Sequence, residues 1–255
     1  MPVTLQTIPC LEDNYAYLLH EPETGATAVI DAPEAAPIQA ALDAKGWRLS
    51  DILITHHHHD HIGGVETLRR ACGARVTGAK SDAHRLPPLD RAVAGGDTIS
   101  VGRETATVIG VPGHTLGHIA FHFPHSQLLF TGDSLMALGC GRLFEGSAAQ
   151  MWDSLSRLIA LPGETLICPG HEYTESNARF ALTIEPDNQS LRDRAARVKA
   201  TRAEAAPTVP VPLKEELATN PFLRAHLPGI KGALGMASAT DIQVFAEIRA
   251  RKDAF

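Results

Sequence analysis

Apolar positions along this chain follow two rhythms. Up to about residue 173, short apolar or β-branched runs recur between turn residues and predict strands over 3–8, 15–19, 27–30, 51–55, 75–77, 98–101, 105–109, 118–123, 128–130 and 165–168. Helical spacing interrupts them at 37–45, stopped by Gly46, and at 65–72, where Val65, Leu68 and Ala71 share a face. It returns at 148–161, where Trp152, Leu155, Leu158 and Ile159 line up before Pro162-Gly163. Beyond residue 173 strand signals stop, and helices are predicted over 175–184, 189–204 and 241–252, separated by the proline-rich 207–212 and by Asn220-Pro221-Phe222-Leu223-Arg224. The pattern predicts an α/β domain over residues 1–173 and a small α-helical domain over 174–255.

Composition narrows the class. Of 255 residues, 44 % are hydrophobic and 20 % charged, as in a folded globular chain. No run approaches the roughly 18 apolar residues that span a bilayer. Met1-Pro2-Val3-Thr4 opens without a basic patch and apolar core, so no signal peptide is expected. Four cysteines with no C-x-x-C pair fit a reducing cytoplasm. A net charge of −6 argues against a nucleic-acid-binding surface, while leaving room for a small basic pocket. We expect a monomer. Thirteen histidines are the anomaly.

Residues 55–64 read Thr-His-His-His-His-Asp-His-Ile-Gly-Gly, directly after the buried run 51–55 and before the helical run 65–72. The histidines therefore occupy a strand-to-helix loop, where α/β proteins carry ligand-binding side chains on a rigid scaffold. Imidazole mixed with carboxylate suits zinc, iron or manganese. Three later strand ends repeat the design, at Gly113-His114, Gly132-Asp133 and Gly170-His171. His56, His58, Asp60, His61, His114, Asp133 and His171 give seven donors, more than one tetrahedral zinc uses, and suit two metals sharing a carboxylate. His57 and His59 alternate with these donors and are expected to point elsewhere, in packing or in orienting roles. His118 is a candidate orienting donor.

The order and loop context of these seven donors resemble the binuclear members of the metallo-β-lactamase superfamily. The resemblance implies an αβ/βα sandwich with metals at one edge. It implies that His56, His58 and His114 bind one metal, that Asp60, His61 and His171 bind the other, and that Asp133 bridges. Asp13-Asn14-Tyr15, the stretch Gly139 to Gly146, Gly170-His171-Glu172-Tyr173-Thr174, Asn220 to Arg224 and Arg249 to Phe255 are further similar to the glyoxalase II, or hydroxyacylglutathione hydrolase, family, from the first strand to the last residue. That likeness implies hydrolysis of S-D-lactoylglutathione to glutathione and D-lactate, the second step of methylglyoxal detoxification. Two divalent cations, Zn2+ first and Fe or Mn as alternatives, would activate a shared water as the hydroxide nucleophile, with Asp60 and Asp133 as catalytic ligands. Glutathione would meet Arg142, Phe144, Tyr173, Arg249 and Lys252, although the family commonly has lysine at the position of Arg142 and tyrosine at that of Phe144. The alternative is a mononuclear-iron persulfide dioxygenase of the same superfamily.

Overall fold

The computed structural model describes residues 3–255, so Met1 and Pro2 of the N-terminal stretch read above lie outside the described residues. The chain forms two compact units. One comprises residues 1–110 and 117–132, the other 111–116 and 133–255. This division differs from the change of texture at about residue 173, which marks where strands give way almost wholly to helices.

In the first unit, β1 (Thr4–Cys10), β2 (Asn14–Glu21), β3 (Ala26–Ile30), β4 (Asp51–Leu53), β5 (Arg75–Ala79) and β6 (Arg91–Val93) form one sheet in that order. The β1–β2 and β2–β3 pairs are antiparallel, and β3 to β6 run parallel. Parallel neighbours need crossovers. Helix α1 (Ala35–Lys45) makes the first, and α2 (His59–Ile62) and α3 (Val65–Cys72) make the second. Ile38 and Leu42 of α1 and Val65 and Leu68 of α3 bury against Leu18, Val29, Ile52 and Val76 of the sheet, which explains the apolar runs at 27–30 and 51–55. A second, antiparallel sheet runs β10 (Leu128–Gly132), β9 (Ile119–Phe123), β8 (Glu104–Gly110), β7 (Thr98–Val101). The sheets meet where the Tyr17 ring of β2 packs on Phe130 of β10, with 5.6 Å between centroids.

The second unit holds a hairpin of β11 (Leu135–Met136) and β12 (Gly139–Cys140), helix α4 (Ala148–Leu158), and the antiparallel pair β13 (Leu166–Pro169) and β14 (Val211–Pro212). Helices α5 (Thr174–Ile184), α6 (Gln189–Ala203), α7 (Leu213–Thr219), α8 (Pro228–Ala233) and α9 (Asp241–Asp253) complete it. Capping boxes start α4, from Ser147 and Gln150, and α9, from Thr240 and Gln243.

A buried polar knot ties the hairpin to the helices. Glu216 is fully buried; its carboxylate takes hydrogen bonds from Arg194, from the Leu138 N–H (2.9 Å) and from Asn220 Nδ2 (2.9 Å). Arg194 also donates to Thr219 Oγ1 (2.7 Å), Asn220 Nδ2 to the Gly139 carbonyl (3.0 Å) and Asn177 Nδ2 to the Ala137 carbonyl (3.0 Å). The sequence reading missed β6, the hairpin, β14, α7 and α8. All are short, and the hairpin is held by side chains remote in sequence rather than by turn chemistry of its own.

Candidate metal centre

Four of the seven expected donors lie in the first unit. The loop after β4 carries them, its approach fixed by the Thr55 carbonyl accepting the Ile119 N–H at 3.0 Å. Asp60 and His61 stand in α2, a helical turn that the sequence reading took as loop. His56 and His61 are fully buried. His61 Nδ1 lies 2.8 Å from Asp31 Oδ2, and Thr55 Oγ1 donates to the same oxygen at 2.8 Å. A carboxylate only accepts, so His61 is protonated at Nδ1 and presents a lone pair at Nε2. Thr55 has one proton and gives it to Asp31, so the 3.0 Å contact with His56 Nδ1 is donated by the imidazole, and the His56 lone pair also lies at Nε2. That nitrogen faces His58 Nδ1 at 3.1 Å. One carboxylate thus sets two imidazoles, as outer partners of metal-binding histidines do.

Asp31 was missed as a functional residue. Its signal was a lone acid directly after an apolar strand, and its backbone is left-handed (φ 53°), a conformation that aspartate tolerates better than most residues. Asn14 was quoted only as part of a motif. It donates to the Asp60 carbonyl (3.0 Å) and to Oδ2 (3.1 Å) and so fixes that side chain. His57 turns to Asp82 at 3.3 Å and His59 is exposed, as their alternation predicts. The His118 ring stacks on His56 with centroids 4.6 Å apart. Gly132 closes β10 at φ 47°, and a Cβ there would stand 2.4 Å from Thr55 Oγ1 and 2.9 Å from His118 Cε1. Glycine is required on both counts.

The other three donors lie in the second unit. Asp133 Oδ2 stands 3.4 Å from His114 Nε2 and 3.3 Å from His171 Nε2, so one carboxylate oxygen faces two imidazole nitrogens. His114 Nδ1 donates to the Arg142 carbonyl at 2.8 Å, which places its lone pair at Nε2. All three residues are buried. The loops carrying them are laced together: Gly146 N–H donates to the Gly113 carbonyl (3.0 Å), Leu116 N–H to Glu145 Oε2 (2.8 Å) and Ser154 Oγ of α4 to the Pro112 carbonyl (2.7 Å). At Gly141 a Cβ would fall 2.0 Å from the Asp133 carbonyl oxygen.

Beside these donors stand the expected recognition residues. The Tyr173 ring stacks on His171 (4.7 Å, 10°) and Phe144, 63 % exposed, leans on His114 at 5.2 Å. Arg142 is exposed and lies 4.0 Å from Asp253. Lys252 sits between the Phe180 and Phe255 rings at 5.3 and 5.2 Å. Burial and then the charges of Arg249, Arg179 and Arg142 bring its ammonium down to about 8. Arg249 is buried, with its guanidinium on the Cys140 carbonyl (2.9 Å) and on Asp253 (2.8 Å).

Buried imidazoles that present lone pairs beside carboxylates are costly without a cation and suit a divalent one, so the donor chemistry fits metal. Such histidine- and aspartate-bearing loops on a two-sheet α/β scaffold define a metal-dependent protein of the metallo-β-lactamase class. The metallo-β-lactamase superfamily model matches residues 12–171, and the hydroxyacylglutathione hydrolase C-terminus model matches residues 172–255. The chain is 61 % identical over all 255 residues of both chains to a hydroxyacylglutathione hydrolase of Cereibacter sphaeroides. It is 64 % identical over 249 residues to one of Jannaschia sp., covering 98 % of this chain and 97 % of that one. Among solved structures, ETHE1 from Myxococcus xanthus is 25 % identical with a TM-score of 0.69, covering 98 % of this chain and 90 % of that one. The chain belongs to the hydroxyacylglutathione hydrolase family, with the metallo-β-lactamase fold followed by that family's helical C-terminal region. Among the described residues, no helix is long and apolar enough to cross a membrane.

Proposed function

We propose that this protein hydrolyses S-2-hydroxyacylglutathione thioesters, S-D-lactoylglutathione among them, to glutathione and the 2-hydroxy acid. The observation that carries the reading is that relatives matched along essentially the whole chain at 61 and 64 % identity bear the hydrolase name, so the match spans the donor loops and the basic C-terminal helix alike. The same observation disfavours the persulfide dioxygenase.

In this reading His56, His58 and His114 would hold one divalent cation, Asp60, His61 and His171 would hold another, and Asp133 would serve both; zinc is the first candidate. When bound, such a pair supplies an activated water at neutral pH and polarises the thioester carbonyl. The protein's own groups prepare for this. Asp31 keeps the His61 proton on Nδ1, Thr55 does the same for His56, and the Arg142 carbonyl does so for His114, so each imidazole presents Nε2 without rearrangement. Preset tautomers lower the reorganisation needed at the moment of reaction.

Water adds to the carbonyl carbon, the C–S bond breaks, and glutathione leaves as a thiolate. A thiol is acidic enough, with a reference pKa of about 8.5, that no strong proton donor is required. Arg142, Arg249 and Lys252 would meet the carboxylates of glutathione, and Phe144, on His114, and Tyr173, on His171, supply ring surface beside the second unit's donors.

The test is turnover of S-D-lactoylglutathione by the purified protein, with metal content determined on the same sample. Hydrolysis with about two metals per chain supports the reading. A protein that holds two metals and leaves the thioester intact overturns it.

A further inference from the structure

This inference rests on the metal and glutathione reading and concerns what holds two of its residues in register. His171 Nε2 faces Asp133 Oδ2 at 3.3 Å, and the Tyr173 ring stacks on the His171 ring at 4.7 Å and 10°. Glu172 lies between them in the chain and has another destination. Its side chain, 6 % exposed, turns to the connection between α6 and β14. There Thr208 takes both carboxylate oxygens: its N–H donates to Oε2 at 2.8 Å and its hydroxyl to Oε1 at 2.6 Å. A carboxylate only accepts and Thr208 has one hydroxyl proton, so Thr174 Oγ1, 2.6 Å from Thr208 Oγ1, donates in turn. Thr174 is 1 % exposed and is the first residue of α5.

Arg202, near the end of α6, closes the clasp. Its Nη1 donates to the Ala206 carbonyl at 2.7 Å and lies 3.8 Å from Glu172 Oε2. Past Thr208 the chain pairs antiparallel with β13, the strand that leads to His171, with Val211 opposite Ile167 and Pro212 opposite Leu166. The proline-rich stretch 207–212, which in the sequence merely separates helices, therefore lies along this strand and grips the loop that follows it. We propose that Thr208 and Glu172 are a positioning pair through which this connection sets His171 and Tyr173 jointly, coupling the cation that His171 would hold to the ring surface offered to glutathione. Charge-assisted bonds to both oxygens fix the Glu172 side chain, and the peptides on either side of it carry the two rings. A largely buried carboxylate that lost these donors would be left unsatisfied, so the loop resists leaving this conformation.

The experiment compares wild type with Thr208→Val, which keeps the side-chain shape and the N–H but loses the hydroxyl, with Thr208→Ser, which keeps it, with Glu172→Gln, and with the Thr208→Val/Glu172→Gln double variant. Zinc affinity is read by chelator competition, KM from S-D-lactoylglutathione kinetics at saturating zinc, and Tm on the same samples. For Thr208→Val we expect zinc affinity to fall about tenfold, the lower end for a lost outer partner of a ligand, and KM to rise about threefold. Thr208→Ser restores most of both. Glu172→Gln breaks the same hydroxyl bond and carries the same expectation if Thr208→Val does not fold. Because the two single variants share that bond, the double variant is no worse than Glu172→Gln alone. A lowered Tm with zinc affinity and KM unchanged, a shift in only one of the two, or losses that add in the double variant overturns the proposal. A wild type that binds zinc and leaves the thioester intact refutes the hydrolase reading itself, a failure visible before any variant is compared, and the variants' zinc affinities still decide whether the pair positions His171.

Discussion

Replacing Glu216 by alanine tests whether the buried knot holds the second unit together. The substitution removes one carboxylate and leaves three consequences. Arg194, 3 % exposed, keeps Thr219 but loses its close anionic partner, with Glu215 no nearer than 3.9 Å. The Leu138 N–H, 2.9 Å from Glu216, loses its acceptor, and Asn220 loses one of three. Breaking a buried pair by removing one member costs about 3–5 kcal/mol, because a charge is left uncompensated in low dielectric. In a chain of this length that lowers Tm by roughly 10 °C. Urea unfolding followed by far-UV circular dichroism reads the loss. Adding Arg194→Met to Glu216→Ala should recover more than half of it, since the orphaned charge goes too. A single variant within about 1 kcal/mol of wild type, or a double variant no better than the single, would refute the reasoning.

Three further outcomes are expected. Asp31→Asn removes the acceptor that fixes His61 and Thr55, and should lower metal affinity about tenfold to a hundredfold, measured by chelator competition; unchanged retention would refute the orienting role. Gly132→Ala forces a Cβ to within 2.4 Å of Thr55 Oγ1 at φ 47°, so its unfolding midpoint should fall clearly below that of an alanine at open-sided Gly229, where a Cβ meets nothing within 4 Å. Lys252 titrates near 8 when folded and near 10.5 when unfolded. In that window the unfolded chain holds a proton the folded chain has released, so stability climbs as pH rises through it. Over the same range KM for the thioester should increase as the ammonium is lost. Lys252→Met should flatten both trends, and a KM independent of pH would count against the contact.

The sequence announced the strands that are buried and apolar, because their runs need no partner to be recognised. It did not announce β11 and β12, whose residues Leu135, Met136, Gly139 and Cys140 read as ordinary loop; the hairpin exists because Glu216, Asn220 and Asn177 bond its backbone from far along the chain. The donors were legible for a related reason: clustered imidazoles have few uses other than metal. What stayed hidden was the support. Asp31 looked like the end of a strand, and Thr55 like the residue before the histidines. Arg249, expected to meet the substrate, is buried with its guanidinium on the Cys140 carbonyl, a neighbour that no property of an isolated arginine in a helix could have revealed.

The 2.8 Å bond from His114 Nδ1 ends on a backbone oxygen, that of Arg142. In the proposed reading residue 142 therefore serves two ends of the reaction through two different parts of itself: its side chain would meet the thiol carrier, while its peptide group dictates which nitrogen of the His114 ring is free. Alanine at 142 would remove the first contribution and leave the second untouched, so a scan of side chains would place this position wholly in recognition. Its other contribution belongs to the main-chain path, which Gly141 sets by coming too close to the Asp133 carbonyl for any larger residue. The side chain at 142 can change without disturbing that bond, but the glycine before it cannot, and there binding and chemistry are made to keep step.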